Sequence, residues 1–162
     1  MKLKIKIKTF GNTPVPQIID KGDWIDLTVL HTYSTQEDKK ESSTKPIMIN
    51  LGIAMELPKG YEAILVARSS TFKKYGIIQA NAIGIIDETF CSDADIWHFP
   101  AIALTKKINI LAGSRICQFR IQLSQKATMW QKIKWLFTSG IEFVEVESLE
   151  NEIRGGFGST DN

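Results

Sequence analysis

Thiols and imidazoles are scarce in this chain: Cys91 and Cys117 are the only cysteines, His31 and His98 the only histidines. There is no CxxC pair, and neither histidine stands at ligand spacing from a cysteine. That excludes a zinc site, and with it most zinc hydrolase and zinc deaminase chemistry. Both thiols are expected free and reduced. Excess charge of one sign is lacking too. Twenty Lys and Arg against 18 Asp and Glu leave a formal net charge of +2, too little for an electrostatic footprint on nucleic acid. No apolar run approaches the ~20 residues that cross a bilayer. Met1 leads into a strand pattern without the apolar core of a signal peptide. No membrane partner is expected, and the cytoplasm is the expected location.

What is present reads as one β-rich domain. A length of 162 residues with 43% apolar side chains suffices to bury a single core. Lys2-Leu3-Lys4-Ile5-Lys6-Ile7-Lys8 alternates strictly, which means a strand with one buried face and lysines that guard an edge. Further β-rich runs at 24–30, 47–56, 62–67, 77–86, 96–104, 114–122 and 141–146 are separated by turn residues. Many short strands with few helices predict an all-β sandwich or barrel. Residues 34–46 are polar and aperiodic and read as a mobile surface loop. One helix is expected over 129–137, with Thr128 as N-cap, Gly140 as stop, and Met129, Trp130, Ile133, Leu136 and Phe137 on one face. Trp135 points the other way.

The polar clusters are individually modest. In Arg68-Ser69-Ser70, either serine can cap a short helix that Gly76 ends, gathering hydroxyls and free N–H groups beside a guanidinium. A plain capped turn is the alternative. Ser70-xx-Lys73 also matches penicillin-binding enzymes, but the companion Lys-Thr-Gly is absent. In the segment 81–90, Asp87 follows an apolar run, and Asp87-Glu88-Thr89 reads as a hairpin turn. The carboxylate there is a candidate general base with Phe90 as a flat wall, or simply part of an acidic turn. Asp26 interrupts an apolar strand, and a water-bridged divalent cation would satisfy it. Period two puts Arg115, Cys117 and Phe119 on one strand face and Ile116, Gln118 and Arg120 on the other.

The last nine residues, Arg154-Gly155-Gly156-Phe157-Gly158-Ser159-Thr160-Asp161-Asn162, carry the sharpest signal. Glycines let backbone N–H groups approach an anion, hydroxyls add donors, Arg154 adds charge, and Phe157 offers a stacking face. Such a tail suits a ligand that is both phosphorylated and flat, and a nucleotide is the obvious class. A frayed terminus is the competing reading. Rossmann and Walker loops are excluded, because neither a helix nor a Gly-Lys-Ser/Thr step follows.

Taken in order, these pieces resemble the five motifs of the trimeric dUTPase family across nearly the whole chain: Asp26-Leu27, Arg68-Ser69-Ser70, Gly84-Ile85-Ile86-Asp87, Arg115-Ile116-Cys117-Gln118, and the tail from Arg154 to Thr160. The stretches KGDWIDL and RICQFRI are most similar to versions from Gram-positive bacteria and their phages. The resemblance implies a compact β-barrel or jelly-roll-like subunit over 1–148, a mobile arm over 149–162, and a homotrimer with three interfacial sites. A site would take motifs one, two and four from one subunit, motif three from a second and the arm from the third. It implies hydrolysis of dUTP to dUMP and pyrophosphate with Mg2+, keeping uracil out of DNA and supplying dUMP for thymidylate synthesis. By the same resemblance, Asp87 holds the attacking water and Gln118 helps place it or the phosphate. Asp26 holds the metal through water, while Arg68, Ser69 and Ser70 meet the phosphates. Backbone groups of a hairpin arm comprising Asn81, Gly84, Ile85 and Ile86 read the uracil edge. Arg154, Gly158, Ser159 and Thr160 grip the far phosphate while Phe157 covers the base. Phe90 stands where many members carry tyrosine, and its ring still blocks a ribose 2′-hydroxyl.

Segment 128–139 looks like an insertion between motifs four and five, expected as a helix on the barrel surface and dispensable for catalysis. Two tryptophans pointing different ways leave a protein-partner surface as the alternative. A dCTP deaminase of the same superfamily is disfavoured because residues 97–104 hold no Glu to shuttle protons over the ring. A nucleotide-gated interaction protein is a third class and is compatible with catalysis.

Overall fold

The computed structural model describes residues 1–19, 22–34, 46–154 and 156. The strands are β1 (Leu3–Thr9), β2 (Ile25–Thr28), β3 (Tyr33–Ser34), β4 (Ile47–Asn50), β5 (Ile53–Glu56), β6 (Tyr61–Ala67), β7 (Ile77–Gln79), β8 (Gly84–Asp87), β9 (His98–Ala103), β10 (Asn109–Ile110), β11 (Arg115–Leu123) and β12 (Ile141–Glu145). Two helices, α1 (Thr71–Tyr75) and α2 (Met129–Leu136), interrupt them. Among the described residues the sheets run β12-β1-β5, β10-β3, β2-β11-β6-β8 and β4-β9-β7. The all-β expectation holds. No helix among the described residues is long and apolar enough to cross a membrane.

The core forms where inner faces meet. Leu3, Ile5 and Ile7 of β1 point inward with Met55, Leu65, Phe99 and Ile121, and Trp97 meets Phe119 edge-on with ring centroids 5.3 Å apart. The alternation in β1 is as expected, but its lysines do not guard an edge. β1 lies between β12 and β5, and its outer face pairs Lys6 with Glu56 at 3.1 Å and Lys8 with Asp93 at 2.6 Å. Both cysteines are free thiols, with Cys117 buried.

Two apolar runs that read as single strands are each broken in two. In 47–56 the break is Leu51-Gly52. Gly52 adopts φ +67°, its N–H is held by Asn50 Oδ1 at 2.7 Å, and a Cβ there would lie 2.1 Å from Thr13 Oγ1. The turn sends β4 to β9 and β5 to β1, in different sheets. In 77–86, Ala82 at φ 57° turns the chain so that β7 joins β9 and β8 joins β6. No hairpin joins β7 to β8. Period-two patterning does not show such breaks, because Asn50, Gln79 and Asn81 fit the outer face of a strand as well as a turn.

α2 forms with Thr128 as N-cap and a complete capping box through Gln131, but it ends at Phe137 rather than at Gly140. Its apolar face points away from the barrel. Trp135 lies against Tyr61 at 5.5 Å, while Met129, Trp130, Leu136 and Phe137 are 69%, 80%, 80% and 73% exposed. Gln131 explains this orientation: its Nε2 donates to the Lys59 carbonyl at 2.7 Å and so fixes which side of the helix meets the barrel.

Gly52→Ala is expected to destabilise the fold by about 2 kcal/mol, from left-handed strain and the clash with Thr13. A urea midpoint unchanged from wild type would contradict this account of the β4–β5 break.

Candidate functional site

Motif residues gather in two places on the sheet β2-β11-β6-β8. The first centres on Asp26 of β2. β11 carries a bulge between Arg115 and Cys117, so Arg115 pairs with Thr28 and Cys117 with Leu27, leaving Ile116 extra and fully buried. The extra residue shifts the side-chain alternation. Arg115 therefore leaves the Cys117 face expected for it and joins the face of Asp26 and Gln118, which are register partners. Arg115 NH1 reaches Asp26 Oδ2 at 3.2 Å, and Arg68 Nε reaches Asp26 Oδ1 at 2.8 Å. Asp26 is thus no orphan carboxylate waiting for a cation, because two guanidinium groups satisfy it. Arg115 is the residue sequence reasoning undervalued, and the bulge that re-aims it leaves no mark in a pattern of alternating residue types.

The Ile116 carbonyl locks this half-site. It accepts from Arg68 N–H at 3.1 Å and from the buried Thr71 hydroxyl at 2.5 Å, which fixes the start of α1 on β11. Ser70 occupies the N-cap position, yet its side chain makes no capping bond, and Gly76 closes the helix in the left-handed conformation at φ 64°. Ser69 and Ser70 are exposed, so their hydroxyls face solvent beside Arg68. Burial, then the charge of Asp26, pushes the Cys117 thiol up and keeps it inert. A cavity of about 180 Å3 opens beside Asp26 and Arg115, walled by Thr13, Pro14, Val15 and Pro16.

The second place centres on Asp87, at the end of β8. β8 is the last strand of its sheet, so the backbone edge away from β6 is unpaired within that sheet. Gly84 is buried, and a Cβ there would crowd Leu65 Cβ at 3.2 Å. Ile83 and Ile85 are 53% and 68% exposed; Ile86 is half-buried. Gln79 Nε2 bridges the Leu65 carbonyl at 3.1 Å and Asn81 Oδ1 at 3.0 Å, which shapes the turn leading into β8. Asp87 Oδ1 accepts from Thr89 N–H at 2.9 Å and from its hydroxyl at 2.6 Å, and Oδ2 accepts from Arg154 NH1 at 2.8 Å. Partial burial pushes the Asp87 carboxyl up, but the Thr89 bonds and the Arg154 guanidinium outweigh it and hold it below the ordinary carboxylate range. Phe90 follows, and a Cβ on Gly156 would lie 3.0 Å from its ring.

The C-terminal segment reaches Asp87 in its own chain. Asp93 accepts from Leu149 N–H at 2.8 Å and the Ser148 hydroxyl at 3.0 Å, and Asn151 donates to the Cys91 carbonyl at 3.1 Å. Phe157, Gly158, Ser159 and Thr160 lie outside the described residues, as do 35–45 of the expected loop.

The two places are not adjacent within one chain. Asp87 pairs with Glu62 at the start of β6, whereas Gln118, beside Asp26, pairs with Val66. That is four residues along a strand and three strand spacings across, about 14 Å each way. Among the described residues no group of three or more His, Cys, Asp or Glu could hold a metal ion.

A family model for dUTPase matches residues 28–160. The chain is 41% identical over 160 residues to the SPbeta prophage-derived deoxyuridine 5′-triphosphate nucleotidohydrolase of Bacillus subtilis, covering 99% of this chain and 98% of that one. Its fold is similar to that of the Streptococcus mutans dUTPase, with a TM-score of 0.63 at 17% identity over 76% of this chain and 98% of that one. It is likewise similar to a variant dUTPase of Staphylococcus aureus phage phi11, described with a coordinated structural Mg(II) ion, with a TM-score of 0.62 at 12% identity over 77% and 94%.

Because its folded value lies below the unfolded one, Asp87 stabilises the fold above the ordinary carboxylate range, and this is lost as pH falls through the folded value. The urea midpoint of wild type minus that of Asp87→Asn should shrink steadily from about pH 6 to about pH 3. A difference that stays flat or grows on acidification would contradict the Thr89 and Arg154 contacts.

Proposed function

The chain belongs to the dUTPase family and hydrolyses dUTP to dUMP and pyrophosphate; from that membership we propose how its residues divide the reaction. The observation that carries the assignment is Asp87. It is an ionised, half-exposed carboxylate at the end of an edge strand, flanked by an aromatic ring and an arginine. The free edge at Gly84, Ile85 and Ile86, with Asn81, reads the uracil through backbone donors and acceptors. A site built on such polar matches rejects bases with a different hydrogen-bonding edge. Phe90 lies under the sugar and leaves no space for a 2′-hydroxyl.

Arg68, Ser69 and Ser70 hold the triphosphate, with Gln118 placing the α-phosphate or its water. Arg154 neutralises Asp87 within the chain. A bound triphosphate offers Arg154 a larger negative charge, and its departure frees Asp87 Oδ2 for a water molecule. Asp87 takes the proton as the water oxygen bonds to the α-phosphorus in line. The bond to the bridging oxygen breaks, and pyrophosphate leaves with the electron pair. Mg2+, when bound, neutralises charge on the triphosphate oxygens. Asp26 retains lone pairs beyond its two arginines and would accept hydrogen bonds from the water shell of that ion.

The separation of the two half-sites supports a homotrimer in which the phosphate-binding half of one chain meets the Asp87 half of another. The domain reading is a body over 1–148 closed by an arm over 149–162, working in the cytoplasm without nucleic acid or membrane as partner. A second reading concerns α2 within the 128–139 segment. Four exposed apolar side chains on one short helix form a ridge suited to a protein partner. This surface lies outside the hydrolytic machinery, so Trp130→Ser with Leu136→Ser should leave turnover within about twofold of wild type.

Pyrophosphate release with Mg2+ should be rapid for dUTP and near background for dTTP, dCTP and UTP. Asp87→Asn should slow it by about a thousandfold. Turnover of UTP at a comparable rate would contradict the role of Phe90, and an active Asp87→Asn would contradict the role of Asp87.

A further inference from the structure

Glu88 directly follows the proposed base. Its carboxylate accepts a hydrogen bond from the Gly60 N–H. Gly60 immediately precedes β6, whose second residue, Glu62, is the register partner of Asp87. The Asp87–Glu88 pair is therefore held at two points: at the Asp87 backbone by Glu62, and through the Glu88 side chain by Gly60. The 58–60 turn is itself fixed. Tyr61 N–H donates to the Pro58 carbonyl at 3.1 Å, and Ser124 N–H donates to the Gly60 carbonyl at 2.9 Å. The third tie comes from α2. Gln131 Oε1 accepts from Thr128 N–H at 2.6 Å within the capping box, and its Nε2 donates to the Lys59 carbonyl at 2.7 Å. Gly60, at φ +83°, has no side chain, and a Cβ there would lie 2.4 Å from Gln131 Oε1. The absent side chain is what lets the helix carboxamide seat against the turn.

Resting on the reading of Asp87 as base, we propose that Glu88 is a positioning residue for that carboxylate and that Gln131 braces the turn Glu88 grips. Without the Glu88–Gly60 bond, the Asp87 turn keeps its backbone pairing but loses the anchor that sets its rotation. A general base displaced by a fraction of an ångström loses turnover while substrate binding persists. The role belongs to the hydrogen bond and not to the charge, and the amide variant separates the two. The inference also revises the expectation that segment 128–139 is dispensable, since its Gln131 touches the brace.

The experiment is steady-state dUTP hydrolysis by Glu88→Ala, Glu88→Gln, Gln131→Glu and Asp87→Asn, with thermal midpoints recorded for each. Glu88→Ala should lower kcat about tenfold with KM within about twofold. Glu88→Gln, whose amide oxygen still accepts from Gly60, should keep most of the wild-type kcat. Gln131→Glu keeps the capping box acceptor but cannot donate to Lys59, and should lower kcat about threefold with helicity unchanged. Wild-type kcat in Glu88→Ala would overturn the proposal, as would Glu88→Gln being as slow as Glu88→Ala. If Glu88→Ala does not fold, the latter pair of variants decides: loss confined to Gln131→Glu supports the brace, and wild-type kcat in Gln131→Glu overturns it. An Asp87→Asn variant that retains turnover would instead sink the underlying assignment of the base.

Discussion

The Ile116 carbonyl is the fixed point on which the Asp26 half of the candidate site depends. It sits at the bulge of β11 and takes one hydrogen bond from Arg68 N–H and one from the Thr71 hydroxyl. The bulge also swings Arg115 to the face of Asp26, so one irregularity in one strand assembles a carboxylate flanked by two guanidinium groups. Neither arginine is held by its own helix or strand alone. Asp26 orients both, and in doing so leaves Ser69 and Ser70 facing solvent next to a net positive charge. A bidentate-capable cation, pre-oriented by a carboxylate, loses little entropy on meeting a phosphate.

The Asp87 half is built on different physics. It uses an edge strand with backbone groups to spare, a turn that spends one carboxylate oxygen on Thr89, and an arginine from the C-terminal segment on the other oxygen. The resemblance placed the arm and Asp87 on different chains. In the single chain the root of that arm is tied to Asp93 and Cys91 of its own body, and Arg154 reaches its own Asp87. In the proposed reaction a triphosphate competes with the Asp87 carboxylate for Arg154.

Much of this was legible in the residues. The alternation of β1, the left-handed cap at Gly76 and the N-cap at Thr128 are local features, decided within a few residues, and they stand as read. The order of the motifs identified the family. What escaped was set by contacts distant in sequence. A bulge adds one residue without changing the types around it, so Arg115 read as sharing a face with Cys117 and Phe119. Isolated polar residues beside Gly52 and Ala82 (Asn50, and Gln79 with Asn81) fit a strand's outer face as well as a turn, so two turns disappeared into β-rich runs. Which face of α2 meets the barrel was not legible, because Gln131, through Lys59 and the 58–60 turn, holds the helix with its apolar face outward. Glu88 looked like a spare acid in a turn, since its partner Gly60 lies 28 residues away.

The central claim is that one chain supplies the phosphate-binding half of a site and another supplies Asp87. The most direct measurement uses two inactive chains, Arg68→Ala and Asp87→Asn, carrying different affinity tags, co-expressed and purified through both tags so that only mixed trimers remain. Each mixed ring then has one interface in which an intact Arg68 meets an intact Asp87, so dUTP turnover should return to about one third of wild type. Mixed trimers as inactive as either parent would place both halves of the site on a single chain and contradict the account.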